Sequence, residues 1–520
     1  TTFPNSSAAQ RTHAAALYAL VTGRISSMSA SASLDPETKQ YARGAFTEQN
    51  RQKELGFYIQ DSWRFRPNLT INYGARWELD FAPRNVNGIY TTAGYESIYG
   101  VSGVGNVFKP GLFTNNIIPQ FRLVDEDDKP YKTRYNDIAP SFGIAWTPNF
   151  GFKNGFVRRV LGGNGDTVLR GGYSIAFVRE GMNTFNLMWG SNQGGTVSLS
   201  VSPGTTPNDF VGPAPFNTAT SVRAGSVWFR DATLPSRAIP TGSFPITAGP
   251  GASFNEWDPN LRMGYVQSWS AGIQRELTKN MALEIRWVGN HGTNLWRQLE
   301  INEVNIFENG FLDEFKRAQN NLLIARAINP ASNNFGNQGL PGQQNINIIA
   351  TALGTTNDAG FATTIQRGLA GTLANNIAFT ATRMNALINA NLIPSVTLTN
   401  GTRVSNYFIA NPLATGGAFL VTNSGHTTYN ALQIELRRRL SRGLLIDGSY
   451  TFAKSLTNMF NSSSAVFIQP TTLRDSNYDK GPSPFDIRQA FKINGIYELP
   501  VGPARRWLNT KMPVVGKLLG

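Results

Sequence analysis

Three histidines, scattered carboxylates and no cysteine are what this 520-residue sequence offers for chemistry. Without cysteine there are no thiolate metal sites, no cysteine nucleophiles and no disulfides. His13, His291 and His426 lie far apart, none with a metal-ligand partner at a workable spacing, and no nucleophile elbow offers a serine triad. Gly162-Gly163-Asn164-Gly165-Asp166 is followed by no Lys-Ser or Lys-Thr and leads into a strand pattern, so it reads as a turn and not a phosphate loop. The run Asp125-Glu126-Asp127-Asp128 lacks the spacing and glycine of a calcium loop and reads as hydrated loop. Asp475, Asp479 and Asp486 flank turn formers and are the weak candidates for a loop metal ion. No local pattern singles out a carboxylate pair. No catalytic residue and no cofactor is expected, and the chain does not read as an enzyme.

The formal charge is +14. Nucleic acid, anionic lipid or an acidic ligand would each suit it, but the basic residues are dispersed, as on a solvated basic surface. Arg437-Arg438-Arg439 is the densest run. Alternation sends Arg437 and Arg439 to a polar face beside a tight turn, which suits a lumen lining or headgroup anchoring better than a nucleic-acid stripe. No nucleic-acid partner is expected.

The elements that must position these residues are strands. From Leu69 the apolar set Leu69, Ile71, Tyr73, Ala75, Trp77, Leu79 alternates with Thr70, Asn72, Gly74, Arg76, Glu78, Asp80, so one face is oily and the other polar. The segment from Glu54 to Phe65 does the same, with Asp61 an exception on the oily side, and only Arg66-Pro67-Asn68 separates the two. The same unit recurs around Thr278-Lys279-Asn280 and around Ser441-Arg442-Gly443. Arg275 and Arg438 break the alternation, both close to a turn. Single strands read over 138–147, 167–177 and 487–499. The strands run about 10 to 13 residues, against the 9 to 11 that a tilted strand needs to cross a bilayer.

Connection lengths carry a second signal. Tight turns alternate with long connections (80–137, 178–264, 291–428 and 454–486), with an intermediate one at 148–166, as in barrels with short periplasmic turns and long external loops. Inside the loops, Phe311 to Ala327 and part of Thr364 to Leu392 have helical spacing, whereas 329–347 is irregular. Ala14 to Val21 is the longest mildly apolar run and reads as a surface helix, too short to span a membrane. Trp63, Trp77, Trp146 and Trp287 fall near strand ends on the apolar face, where barrels carry interfacial aromatic girdles. The expected fold is all-β, an antiparallel transmembrane β-barrel in part, with long external loops carrying short helices. Its expected divisions are an entry segment over 1–53, a barrel portion over 54–499 and a periplasmic turn or linker over 500–520.

Several motifs carry a family resemblance. They are Gly56-Phe57-Tyr58-Ile59-Gln60-Asp61-Ser62-Trp63 followed by Arg66-Pro67-Asn68-Leu69-Thr70-Ile71-Asn72-Tyr73-Gly74-Ala75-Arg76-Trp77-Glu78, Ala139-Pro140-Ser141-Phe142-Gly143, and Leu169-Arg170-Gly171-Gly172-Tyr173. With them stand Trp287-Val288-Gly289-Asn290-His291-Gly292-Thr293, Tyr429-Asn430-Ala431-Leu432-Gln433 and Tyr497-Glu498-Leu499-Pro500-Val501-Gly502. Together they resemble the TonB-dependent receptors of the Oar-like type, large bacterial outer-membrane proteins. The resemblance implies a barrel of roughly 22 strands that takes up an external ligand with energy delivered through the TonB complex. It also implies an N-terminal plug with a TonB-contacting segment. Neither is recognisable here, and about nine strands are visible, so the expectation is a piece whose plug and remaining strands lie before Thr1 and after Gly520. The expected surroundings are outer-membrane lipid, the ligand itself staying unidentified. A structural or adhesive surface protein, or a soluble β-rich binding module, are the competing readings.

Overall fold

The computed structural model describes residues 6–21, 24–25, 28–149, 162, 165–201, 222–223, 239–249, 251–459 and 469–500. The alternating segments form nine long strands: β1 (Glu54–Arg66), β2 (Leu69–Asp80), β3 (Asp137–Trp146), β4 (Thr167–Phe177), β5 (Tyr265–Thr278), β6 (Met281–Glu300), β7 (Gly417–Ser441), β8 (Leu444–Thr457) and β9 (Gln489–Tyr497). Each pairs antiparallel with the next in chain order, giving one up-and-down sheet. Beyond β1 and β9 no further long strand pairs among the described residues, so the sheet is open. Each tight turn comes with a register shift beside it, at Arg64/Arg66, Glu276/Thr278 and Arg438/Ser441. At the last turn Arg442 and Gly443 both take positive φ, 53° and 77°, which matches the right-handed twist of the flanking strands.

Pairing puts every apolar set on the same face. One ladder runs Leu69–Trp146–Leu169–Ile273–Ile285–Ile434–Tyr450–Phe491 across β2 to β9. Among the described residues nothing covers that face: Ile59 is 76% and Ile493 62% exposed. A protein interior does not leave a continuous apolar sheet face open in this way.

Measured on this ladder the tight turns recede. β2 starts at Leu69, on the ladder itself; β6 starts at Met281, four residues below Ile285; β8 starts at Leu444, six below Tyr450. The slippage is one residue per strand. With a rise of about 3.4 Å per residue and strands about 4.8 Å apart, turns lying at one level require a tilt of about 35°, which is the tilt a closing sheet adopts. A residue step up any strand, or a strand step along the sheet, therefore raises the level by about 2.8 Å.

At the other end the long connections fold into an ordered cap. β6 and β7 continue into it, where Trp296, Arg297, Leu420 and Val421 are buried. This corrects the sequence reading, which placed everything from His291 to Thr428 in a loop. Register shifts between Gly292 and Arg297, with Asn294 at positive φ, interrupt the two-residue period, and burial from both sides removes the polar positions that would mark alternation. The helices are α1 (Ala8–Val21), α2 (Met182–Met188), α3 (Phe311–Ile328), α4 (Asn347–Leu353), α5 (Ala359–Gln366), α6 (Ala370–Ala378) and α7 (Ala381–Asn389). Among the described residues no helix is long and apolar enough to cross a membrane. Helices α3 to α7 pack around Phe311, Phe315, Ile349, Ile365, Leu387 and Phe408. A second cluster joins Tyr90, Phe185, Trp189, Trp257 and Trp296 to Leu34 and Tyr41, so part of the expected entry segment belongs to the cap. Residues 501–520 and the Gly163-Asn164 centre of the glycine-rich turn lie outside the described residues.

Candidate functional site

The polar face of the sheet carries two neighbouring ladders of small residues. Ser62–Asn72–Gly143–Gly172–Ser270 is one, and Gln60–Gly74–Ser141–Ser174–Ser268–Asn290 the other. Small side chains leave a groove of about 830 Å³ along them, open to one side. Toward the tight turns this face becomes charged: Arg286 donates through Nε and Nη2 to Gln433 at 3.0 and 2.6 Å, and Arg437 pairs with Glu435. Arg437, on the polar face as alternation requires, also sits opposite Asp447 in the ladder. Toward the cap, Glu54, Glu78, Asp80 and Asp137 line a cavity of about 470 Å³ together with Arg76 and Arg179. Arg179 pairs with Glu54 at 2.6 Å and Arg76 with Glu78 at 2.9 Å. Such a wall offers hydroxyls, amides and both signs of charge. It suits holding or passing a polar solute better than bond-making.

On the apolar face the tilt sorts the tryptophans by level. Trp63 and Trp146 lie about 3 Å above the turn level, and Trp287 and Trp77 about 17 and 22 Å above it. Trp287 is six residues in from the start of β6 and not near its far end, because that strand runs on to Glu300. Its ring packs 6.1 Å from that of Trp269, which lies about 3 Å higher on the same face. Arg275 and Arg438, the two breaks in the alternation, fall level with Trp63 and Trp146. Asp61 remains on the apolar face about 8 Å up, where the Tyr73 hydroxyl donates to it at 3.0 Å.

The expected ion-binding carboxylates do not meet. Asp479 accepts from Arg297 Nη2 at 2.8 Å and from the Thr471 amide at 2.9 Å. Asp486 accepts from the Ser455 amide and pairs with Arg488, and Asp475 closes a turn onto Asn477. No group of three histidines or carboxylates able to hold a metal occurs among the described residues. Of the acidic run, Asp128 is held by Arg122 and Asp125 accepts from the amides of Asp127 and Asp128, an ordinary turn. His291 lies on the apolar face, and His13 is exposed on α1.

Two buried charges went unseen in the sequence because nothing local marks them. Arg297, 1% exposed, ties the top of β6 to the 469–488 connection through Asp479. Burial works against the Asp479 charge, but hydrogen bonds from Thr471 and the Arg297 guanidinium outweigh it and hold the carboxyl below its usual range. Glu256, in the strand Ser253–Trp257 that pairs parallel with β7, is fully enclosed. It accepts from Thr92, the Ala93 and Gly94 amides and the Trp189 indole at 2.7 to 3.1 Å. Burial pushes its pKa up and these donors pull it back. It joins two of the long connections in the cap, 80–137 and 178–264. Arg474 is the outer latch, paired with Glu303 and Glu308 and stacked on the rings of Phe108 and Phe307 at 3.5 and 5.1 Å.

The profile of a family described as an outer membrane beta barrel domain matches residues 1–352 and 313–520. No curated protein sequence matches the chain. Among solved structures it is similar to the alcaligin outer-membrane receptor FauA of Bordetella pertussis, at 10% identity and a TM-score of 0.26, covering 87% of this chain and 36% of that one. It is also similar to the outer-membrane transporter YddB of Escherichia coli (10% identity, TM-score 0.32, 86% and 40%) and the siderophore receptor PiuA of Acinetobacter baumannii (7%, 0.31, 86% and 32%). The chain spans well under half the length of each. At these scores the likenesses carry no weight for function.

Proposed function

Since this chain belongs to the outer membrane beta barrel domain family and so sits in the bacterial outer membrane, we propose that it forms part of a TonB-dependent receptor that takes up a polar ligand from outside. The observation that carries the reading is the pairing of a polar, grooved inner wall with an ordered cap, all its long connections gathered at one end of the sheet. Hydrocarbon covers the apolar face; Trp63 and Trp146 near its lower edge, and Trp77 with Trp287 about 5 Å deeper toward its upper edge, are the interfacial aromatics. The resemblance of the motifs quoted above to Oar-like receptors points to contact with the TonB complex as the energy source. The ligand class follows from the wall: hydroxyls, amides and mixed charge suit a sugar, a peptide or a chelate.

The test is uptake in cells. Radiolabelled oligosaccharides, peptides and metal chelates are offered to cells expressing the protein, with and without a functional TonB. Accumulation of one class only when both proteins are present supports the reading. Binding to the surface that persists unchanged without TonB, with no accumulation, refutes uptake and leaves the structural or adhesive role. That second reading draws on the cap, whose helical unit has a hydrophobic core of its own.

A further inference from the structure

The apolar face does not stay apolar to its upper edge. Across β5 to β8 two neighbouring ladders read Gln267–His291–Thr428–Leu456 and Trp269–Gly289–Asn430–Lys454. At the measured tilt Asn430, His291, Lys454 and Thr428 lie about 25 to 31 Å above the turn level, just past the apolar band and below the cap. Lower on the same strands this face carries Ile273, Ile285, Leu432 and Phe452.

We propose that His291, Thr428, Asn430 and Lys454 form a site on the outside of the barrel wall for a phosphate-bearing headgroup of the outer-leaflet lipid. Lys454 is exposed and has no ion-pair or hydrogen-bond partner among the described residues. None of the eight positions in the two ladders is a carboxylate, and Asp486, which accepts from the neighbouring Ser455 amide at 2.6 Å, is paired with Arg488 at 2.8 Å, so the local balance stays positive. His291 Nδ1 and Thr428 Oγ1 are 3.0 Å apart, leaving the other ring nitrogen for a ligand. Between them Gly289 lets the Trp269 indole and the Asn430 amide close in over its Cα: a Cβ there would meet Trp269 Nε1 at 2.3 Å and Asn430 Oδ1 at 2.8 Å. An exposed ammonium beside an amide, a hydroxyl and an imidazole at headgroup height suits a phosphate with flanking hydroxyls. The site rests on the chain's place in the outer membrane and is independent of uptake.

The purified chain in neutral detergent is offered bisphosphorylated lipid A, the same lipid dephosphorylated, and inorganic phosphate, and retained ligand is read by native mass spectrometry. The expected result is preferential retention of the bisphosphorylated lipid, reduced about five-fold by Lys454→Gln, the factor one basic residue carries near an anionic surface. Lys454→Arg should restore retention, and Lys492→Gln, on the inner face, should leave it unchanged. Equal retention of the two lipids, or no effect of Lys454→Gln, overturns the site. Competition by inorganic phosphate alone at low millimolar concentration overturns the lipid and leaves a free-anion site.

Discussion

Arginine at Ile285 tests both the orientation of the sheet and its tilt. Ile285 sits on the ladder that β2 enters at Leu69, four strands along, which places it about 11 Å above the turn level and near the middle of an apolar band about 25 Å tall. Ile285→Arg should therefore cost about 2 to 4 kcal/mol, the midplane penalty for a lipid-facing charge. Ile71 is two residues above the same ladder on β2 and lies only about 6 Å up, so Ile71→Arg should cost less, about 1 to 2 kcal/mol. Met281, at the turn level, should tolerate arginine within about 1 kcal/mol. An untilted sheet would reverse the order, because along the strands Ile71 is further from the ladder's base than Ile285. Ser449, at a similar height but on the polar face, is the control and should change stability by less than about 0.5 kcal/mol. The assay is denaturant titration of the chain refolded into phospholipid vesicles, read by tryptophan fluorescence. A cost at Ile285 no larger than at Ser449 would refute the lipid-facing orientation, and Ile71 costing more than Ile285 would refute the tilt.

Three further outcomes follow from the geometry. Gly289→Ala should displace the Trp269 indole, since the added methyl has no room, with a loss of about 1 to 3 kcal/mol and a change in tryptophan emission; unaltered emission would show that the ring is not where it is described. Arg474→Ala should release the 469–488 connection from Glu303, Glu308 and the two phenylalanine rings, raising protease cleavage there at a cost of about 1 to 2 kcal/mol, discounted for partial exposure. Cleavage rates equal to wild type count against a latch. The folded Asp479 carboxyl titrates below its unfolded value of about 3.9, so its contribution is whole above that value and is lost as pH falls through the lower folded one. Wild-type protease resistance of this connection should therefore hold down to about pH 4 and fail below it, whereas Asp479→Asn should already be weakened at neutral pH and respond little to acid; a wild-type loss near pH 6 would exclude Asp479 as its cause.

Strand identity, hairpin turns and the division into oily and polar faces were legible residue by residue, because each depends on neighbours within a few positions. Leu69 to Asp80 alternates whatever surrounds it, and Gly443 suits a tight turn by its backbone freedom alone. Helical spacing likewise announced α3 and the helices within 364–392. The upper halves of β6 and β7 were not legible, since bulges shift the period there and the cap buries both sides. Nor could the chain order of residues say that Arg297 meets Asp479, that Glu256 gathers four donors, or that Asp475, Asp479 and Asp486 go separate ways. Height is the plainest case. In the sequence Arg275 and Arg438 interrupt an alternation, while His291 and Lys454 open long connections. Pairing across eight strand boundaries and a tilt of about 35° separates them into a lower pair level with Trp63 and an upper pair beyond the apolar band. Alternation sets only which face a side chain takes; how deep it lies along the membrane normal accumulates from register, one strand at a time, and exists only in the assembled sheet.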